Sequence, residues 1–370
     1  MIVIFIIVVA AVLLAFANGA NDNAKGVATL IGSRAIKLQP GLIYAAVATA
    51  LGSVAAIFIG KELATLFSGK GIVDAQLLGT MAFPACVGLA AGVTVLLATR
   101  IGMPISTTHA MVGALTGIGI AADAIHFDAV MAKFFVPLLV SPVIALLASV
   151  VIYIIFRQTR LMLGINRETC VCVEETYQPV SISTDGSMSV ISTGLTLTAG
   201  QASDCCERYQ GRVAGIDAQR VLTWAHYFTA GAVSFARGLN DTPKIAALLL
   251  AVSWLSPAPG ASLIIIGTAI AAGGLLAVRR VAQTMSFGIT EMNDGQSFTA
   301  NLVTAVLVIF ASKYGMPVST THVSCGSLFG IGAVSGRAHW RVIGQVLLAW
   351  VTTLPVAAAL GYLAWRVLGG

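Results

Sequence analysis

Gly102-Met-Pro-Ile-Ser-Thr-Thr-His109 recurs as Gly315-Met-Pro-Val-Ser-Thr-Thr-His322, with seven of eight positions identical. Each copy follows a second shared stretch. This is Phe16-Ala-Asn-Gly-Ala-Asn-Asp-Asn-Ala-Lys25 in the first half and Phe235-Ala-Arg-Gly-Leu-Asn-Asp-Thr-Pro-Lys244 in the second. The order is the same in both halves. Asp22 precedes Ser106 by 84 residues, and Asp241 precedes Ser319 by 78. Two matched motifs in one order mark an internal duplication.

The medium around these motifs is apolar. Of 370 residues 57% are hydrophobic and 10% charged, whereas a soluble domain carries about a quarter charged residues. Charge-free blocks run from Met1 to Ala17 and over the 23 residues from Phe134 to Phe156. The second is long enough as a helix to cross a hydrocarbon core of about 30 Å. Similar blocks lie at 41–60, 75–99, 260–278 and 342–365. The first block lacks a basic leader and is followed by polar chemistry, so it reads as part of the mature protein. We expect about five crossings per half. An odd number makes the second repeat insert upside down relative to the first, a recurrent build for secondary transporters. The expected fold is therefore an all-α integral membrane protein of two inverted-topology repeats, with broken helices at the midplane. Residues 1–157 form the first repeat, 158–221 a loop and 222–370 the second repeat.

The net charge of +6 does not indicate nucleic acid. With the N-terminus outside, thirteen of the 21 Lys and Arg fall on the inner side, among them Arg34, Arg100, Arg157, Arg279 and Arg337. Five fall outside (Lys61, Lys70, Lys133, Lys313, Arg366), and three (Lys25, Arg237, Lys244) lie within apolar segments. That bias follows the positive-inside rule. It predicts a multi-pass protein of the plasma (inner) membrane, embedded in lipid, with both termini outside and the central loop cytoplasmic. The Ser181–Ser203 part of the loop reads as mobile or as a small β-like insert. The loop pairs Cys170-x-Cys172 and Cys205-Cys206 read as reduced thiols in the cytoplasm; a soft-metal clamp or redox switch is the alternative, and the spacing is not a zinc pattern.

Each motif sets helix breakers and polar groups inside an apolar segment. Gly19 is expected to let the chain unwind, so that Asn21 and Asp22, and likewise Asn240 and Asp241, supply oxygen ligands. An acid at membrane depth is costly and marks function. After Pro104 a helix can begin, with Ser106 as N-cap and Thr107 and Thr108 in its first turn. Such a helix start offers unpaired N–H groups, partial positive charge and hydroxyl donors, and it suits a tetrahedral oxyanion. Ser319, Thr320 and Thr321 repeat the arrangement across the duplication. His109 and His322 read as neutral rings hydrogen-bonded near the first turn, with a proton relay as the alternative. No Gly-x-x-x-x-Gly-Lys-Ser/Thr occurs, which argues against an ATP-driven pump. No base–orienter arrangement supports an enzyme. Paired intramembrane acids fit a coupled carrier better than an anion channel.

The doubled Gly-x-Asn-Asp and Pro-x-Ser-Thr-Thr-His elements resemble those of the inorganic phosphate transporter (PiT) family over both apolar halves. The resemblance implies a secondary carrier moving inorganic phosphate by alternating access, coupled to sodium ions or protons, with no bound cofactor. Sulfate is the alternative cargo, and a homodimer is compatible with this reading. By motif, the resemblance places phosphate on Ser106, Thr107, Thr108, Ser319, Thr320 and Thr321. The coupling cation falls to Asn21, Asp22, Asn240 and Asp241, which alternatively shape the anion site. The chain departs from the family where Gly-x-Asn-Asp-x-x-Asn ends in Lys25 and Lys244, and where Arg237 replaces a common His. The lysines have three readings: a tethered replacement for the coupling cation, an attractor for the anion, or side chains snorkelling to an interface.

Overall fold

The apolar runs fold as helices in the computed structural model, which describes residues 2–168, 172–182, 188–198, 208–213, 216–250 and 259–369. The first half contains α1 (Ile2–Asp22), α2 (Ala28–Gly32), α3 (Leu38–Ile59), α4 (Lys61–Phe67), α5 (Ala75–Leu78) and α6 (Ala82–Arg100). It continues through α7 (Thr107–Ala121), α8 (Phe127–Val130), a π-helical turn and α9 (Val136–Met162). The second half contains α10 (Ala218–Leu250), α11 (Pro259–Leu276), α12 (Arg279–Gln283), a second π-helical turn, α13 (Asp294–Lys313), α14 (Thr320–Ser335) and α15 (Trp340–Leu368). The long helices recur in matched order: α1 with α10, α3 with α11, α6 with α13, α7 with α14 and α9 with α15.

Among the described residues six helical runs are long and apolar enough to cross a membrane, and the pair α11–α12, bent by 67°, makes a seventh. This is fewer than about five per half. The shortfall lies at the motifs: α7 and α14 have only 15 and 16 residues, about 23 Å at the α-helical rise. α10 has 33 residues but carries Arg237, Asp241 and Lys244 within its apolar part. Large apolar side chains point outward, with Phe58 80%, Leu139 75% and Val351 73% exposed. The buried interior meanwhile holds Asp, Lys, Arg, Asn and many hydroxyls. Apolar outside and polar inside is the distribution of a chain solvated by lipid.

The repeated motif explains how each half-helix is launched. Gly102 (φ +75°) and Gly315 (φ +65°) adopt the left-handed conformation that closes α6 and α13. The Gly102 N–H donates to the Thr99 carbonyl at 3.0 Å and the Met103 N–H to the Ala98 carbonyl at 3.0 Å. Gly315 and Met316 repeat these bonds to Ser312 and Ala311, at 3.3 and 2.8 Å. This is a Schellman cap, which needs glycine at that position. The proline then keeps its predecessor extended. Ser106 accepts from the His109 N–H at 3.0 Å and Ser319 from the His322 N–H at 3.2 Å, each starting its half-helix.

Two expectations about breaks are corrected. α1 does not unwind at Gly19; it continues to Asp22, and the break is the turn Asn23–Val27. In the second half α10 runs unbroken through Gly238, Asn240, Asp241 and Pro243. The glycines serve close approach instead. A Cβ on Gly19 would lie 1.9 Å from the Ile270 carbonyl oxygen of α11, and one on Gly238 would lie 2.1 Å from the Thr49 carbonyl oxygen of α3. The contacts are reciprocal: a Cβ on Gly273 would meet the Phe16 carbonyl oxygen at 1.9 Å, and one on Gly52 that of Phe235 at 2.0 Å. Each half thus lays its motif helix against the next long helix of the other, α1 against α11 and α10 against α3. Gly19→Ala and Gly238→Ala should each cost at least about 1–3 kcal/mol through overpacking. A lowered unfolding midpoint in detergent is expected for both. Gly344→Ala, with nothing within 4 Å of the new carbon, is the control and should be neutral or stabilising; equal losses in all three would refute the close-approach account.

Phe156–Thr223 forms a compact unit of its own. Here the all-α expectation fails, and the β-like reading of the loop fits. β1 (Asn166–Glu168) pairs antiparallel with β4 (Arg208–Gln210), β2 (Cys172–Ile182) with β3 (Met188–Thr198), and β5 (Arg212–Val213) with β6 (Ile216–Asp217). The Val, Ile and Thr content of β3 suits a pleated ribbon. Cys172 opens β2, while Cys170, Cys205 and Cys206 lie outside the described residues.

Candidate functional site

The ends of the two half-helices meet the two Asn-Asp motifs, and every candidate residue there is buried. Asn21 and Asn240 hold the links that aim α7 and α14. Asn21 donates to the Thr99 hydroxyl and the Met103 carbonyl, both at 3.0 Å, and accepts from the Ile105 N–H at 3.1 Å. Asn240 donates to the Val318 carbonyl at 3.3 Å and accepts from the Ser312 hydroxyl at 3.2 Å. Thr99 and Ser312 occupy equivalent places three residues before Gly102 and Gly315. With both ends of the amide engaged, each Asn acts as a brace for the link.

The carboxylates face the threonines. Asp22 Oδ2 accepts from the Asn18 amide at 3.0 Å and from Thr107 at 3.5 Å, and Asp241 Oδ2 accepts from Asn18 at 3.2 Å and from Thr320 at 3.4 Å. One amide therefore spans both acids. The Asn18 carbonyl oxygen accepts from Arg237 at 3.1 Å, and the same guanidinium donates to Asn23 at 3.1 Å and Thr49 at 3.2 Å.

Neither lysine snorkels. Lys25 and Lys244 are 1% and 2% exposed, and each pairs with the acid three residues before it, at 2.5 and 3.6 Å. Each ammonium also crosses to the opposite half. Lys25 donates to Thr321, and Lys244 donates to Thr108 at 3.0 Å and, within its own half, to the Val318 carbonyl at 2.8 Å. The threonines in turn cross over: Thr321 donates to the Ile105 carbonyl at 2.7 Å and Thr108 to that of Val318 at 3.5 Å. Among the described residues three buried cations (Lys25, Lys244, Arg237) stand against two buried acids (Asp22, Asp241), leaving one positive charge in excess. A buried net charge is costly unless something offsets it.

His109 and His322 touch edge to face across the halves, with ring centroids 4.3 Å apart. The His322 Nδ1 lies 3.2 Å from the Leu138 carbonyl oxygen, and its ring lies 4.0 Å from that of Trp350. Trp350 donates to the Pro104 carbonyl at 3.1 Å, tying α15 to the link before α7.

The geometry thus gathers Thr107, Thr108, Thr320 and Thr321 with both Asn-Asp pairs and both lysines. Ser106 and Ser319 serve as caps. Asn18, Asn23 and Thr49 were not evident as site residues, and Arg237 was evident only as a departure from a pattern. The available signal was positional, because Asn18 and Arg237 occupy the same place in the duplicated motif.

The sequence model of the phosphate transporter family matches residues 18–361. The chain belongs to that family. Phosphate is the substrate of this family, and the chain is an integral membrane member of it. It is similar, at 26% identity over 96% of its length and 93% of the other chain, to the "Putative phosphate permease" of Pyrococcus furiosus. It is also 26% identical to the "Probable low-affinity inorganic phosphate transporter" of Mycobacterium tuberculosis, over 97% of this chain and 76% of that one. A solved structure described as "The sodium-dependent phosphate transporter" has the same fold, with a TM-score of 0.76 over 100% of this chain and 99% of that one at 22% identity.

Proposed function

We propose that this family member carries inorganic phosphate by alternating access between two inverted repeats, at a site built where the starts of α7 and α14 meet. The observation that supports this most is the excess positive charge facing four threonine hydroxyls at two helix N-termini. A tetrahedral anion offsets the charge and accepts from the hydroxyls and from helix N–H groups. In the conformation described, the hydroxyls are engaged by Asp22, Asp241 and the Ile105 and Val318 carbonyls. Phosphate takes over those hydroxyls and frees the cross-links between halves, so binding and rearrangement are coupled. A carrier needs such a link, and an open pore does not.

The tethered ammonium groups of Lys25 and Lys244 sit where a mobile coupling cation would lie beside Asp22 and Asp241. In this reading transport requires no sodium and is driven by a proton gradient. The charge bias orients the protein with its termini outside and residues 158–221 in the cytoplasm.

Thr107→Val and Thr320→Val preserve shape and remove one donor each. Phosphate affinity, read by calorimetry on purified protein, should weaken by about 1–3 kcal/mol per lost charge-assisted bond. Unchanged affinity in both variants removes the site from consideration.

A further inference from the structure

A cavity of about 680 Å³ lies beside α4 and α5, its walls including Thr65, Lys70, Asp74, His126, Ala247 and Leu248. That volume is in the range of ligand pockets, and it accommodates an oxyanion with water. The rim is polar: His126 Nε2 lies 3.0 Å from Asp74 Oδ1, and both side chains are half exposed. The wall is braced by the His126 N–H donating to the Ile72 carbonyl at 2.8 Å and the Asp74 N–H donating to that of Ala124 at 3.0 Å. Ala247 and Leu248 follow Lys244 by three and four residues, one helical turn. The cavity therefore ends one turn from the central ammonium.

An aromatic side chain stands beside both the cavity and the ammonium. Phe67, at the end of α4, borders the cavity yet is fully buried. Its ring packs edge to face on Phe134 with centroids 5.1 Å apart, and the Lys244 Nζ lies 5.4 Å from its centroid. The equivalent place in the second half is sealed differently. Just after α12 the Thr284 hydroxyl donates to the Gly102 carbonyl at 2.8 Å, and Arg280 within α12 donates to the Arg100 carbonyl. Side-chain bonds to backbone carbonyls thus close that side onto the motif, whereas on the α4 side the Phe67 ring, packed in the buried core with Phe134, stands beside both the cavity and the Lys244 ammonium.

Resting on the reading of a phosphate carrier, we propose that this cavity is the route by which the oxyanion reaches Lys244 and Thr108, and that Phe67 is the residue that closes it. Rotation of one ring away from Phe134 opens the path, and the cation–π contact with Lys244 draws it shut when the anion is absent. An anion on Lys244 competes with the ring for the ammonium, so occupancy and closure are linked.

The test uses the full chain with its six cysteines replaced and single cysteines introduced, exposed to a negatively charged, impermeant methanethiosulfonate. Ala247→Cys should be modified from the face bearing α4, and modification should stop phosphate uptake. No modification, or modification without inhibition, overturns the route. Thr108→Cys should be modified several-fold faster with Phe67→Ala than with Phe67 intact, and inorganic phosphate should slow that reaction. Phe67→Leu serves the same comparison if the alanine variant does not fold. Equal rates with Phe67, leucine or alanine overturn the gate. Loss of phosphate counterflow in the cysteine-free parent would count against the phosphate reading instead, and the labelling rates still decide the route and the gate.

Discussion

Lys25→Met should produce the largest stability loss of any single change at the site, about 3–5 kcal/mol, because it leaves a buried carboxylate without its counter-charge. Among the described residues Asp22 Oδ1 has no hydrogen-bond partner apart from its ion pair with Lys25. The remaining partners of Asp22, Asn18 and Thr107, are on Oδ2. Lys244 and Arg237, which remain and balance the two acids, do not rescue the variant, because the penalty is local to one desolvated oxygen. Lys244→Met should cost less. Asp241 Oδ1 keeps its bond from Asn240 at 3.0 Å, and its lysine is already 3.6 Å away. The double variant Asp22→Asn with Lys25→Met removes both charges and should recover most of the loss. Thermal unfolding in detergent gives the ranking; a larger loss for Lys244→Met, or no recovery in the double variant, contradicts the paired-charge account.

The second large effect concerns the coupling ion. Lys25→Asn combined with Lys244→Asn removes two tethered cations and leaves two carboxylates in a polar, desolvated site. Such a site has the hard oxygen donors that small cations take. Uptake by the double variant should become dependent on sodium, and wild-type uptake should be insensitive to it. The unpaired acids make this variant unstable without the ion. Sodium should therefore raise its unfolding midpoint by mass action, and a matched concentration of choline should not. A wild type that already depends steeply on sodium would show that the lysines do not stand in for it.

What the sequence made legible was local. A proline and a capping serine act within a few residues of each other, so the starts of α7 and α14 could be read directly from Pro104–Thr108 and Pro317–Thr321. Glycine's two uses look alike in a sequence. Gly19 reads as a place to unwind, and only the carbonyl of Ile270 lying across it shows that it is a place of contact. Pro243 likewise reads as a break, yet α10 continues through it. The fate of the lysines was also not local: Lys25 meets Thr321 and Lys244 meets Thr108, each partner supplied by the other half of the chain. Asn18 illustrates the same limit. It reads as an ordinary polar residue in a motif until the folded repeats place Asp22, Asp241 and Arg237 around its amide. Duplication was the one long-range signal in the sequence, and it located the paired motifs without revealing that they cross.

We propose that the crossed site carries phosphate and that the two lysines serve in place of sodium. The most direct test is uptake and counterflow of labelled phosphate in proteoliposomes, with sodium and pH gradients imposed separately and unlabelled sulfate as competitor. Saturable uptake driven by the pH gradient in sodium-free buffer, counterflow by preloaded phosphate, and little competition from sulfate are expected. Uptake that appears only with a sodium gradient, that fails to saturate, or that follows sulfate in preference to phosphate would contradict the proposal.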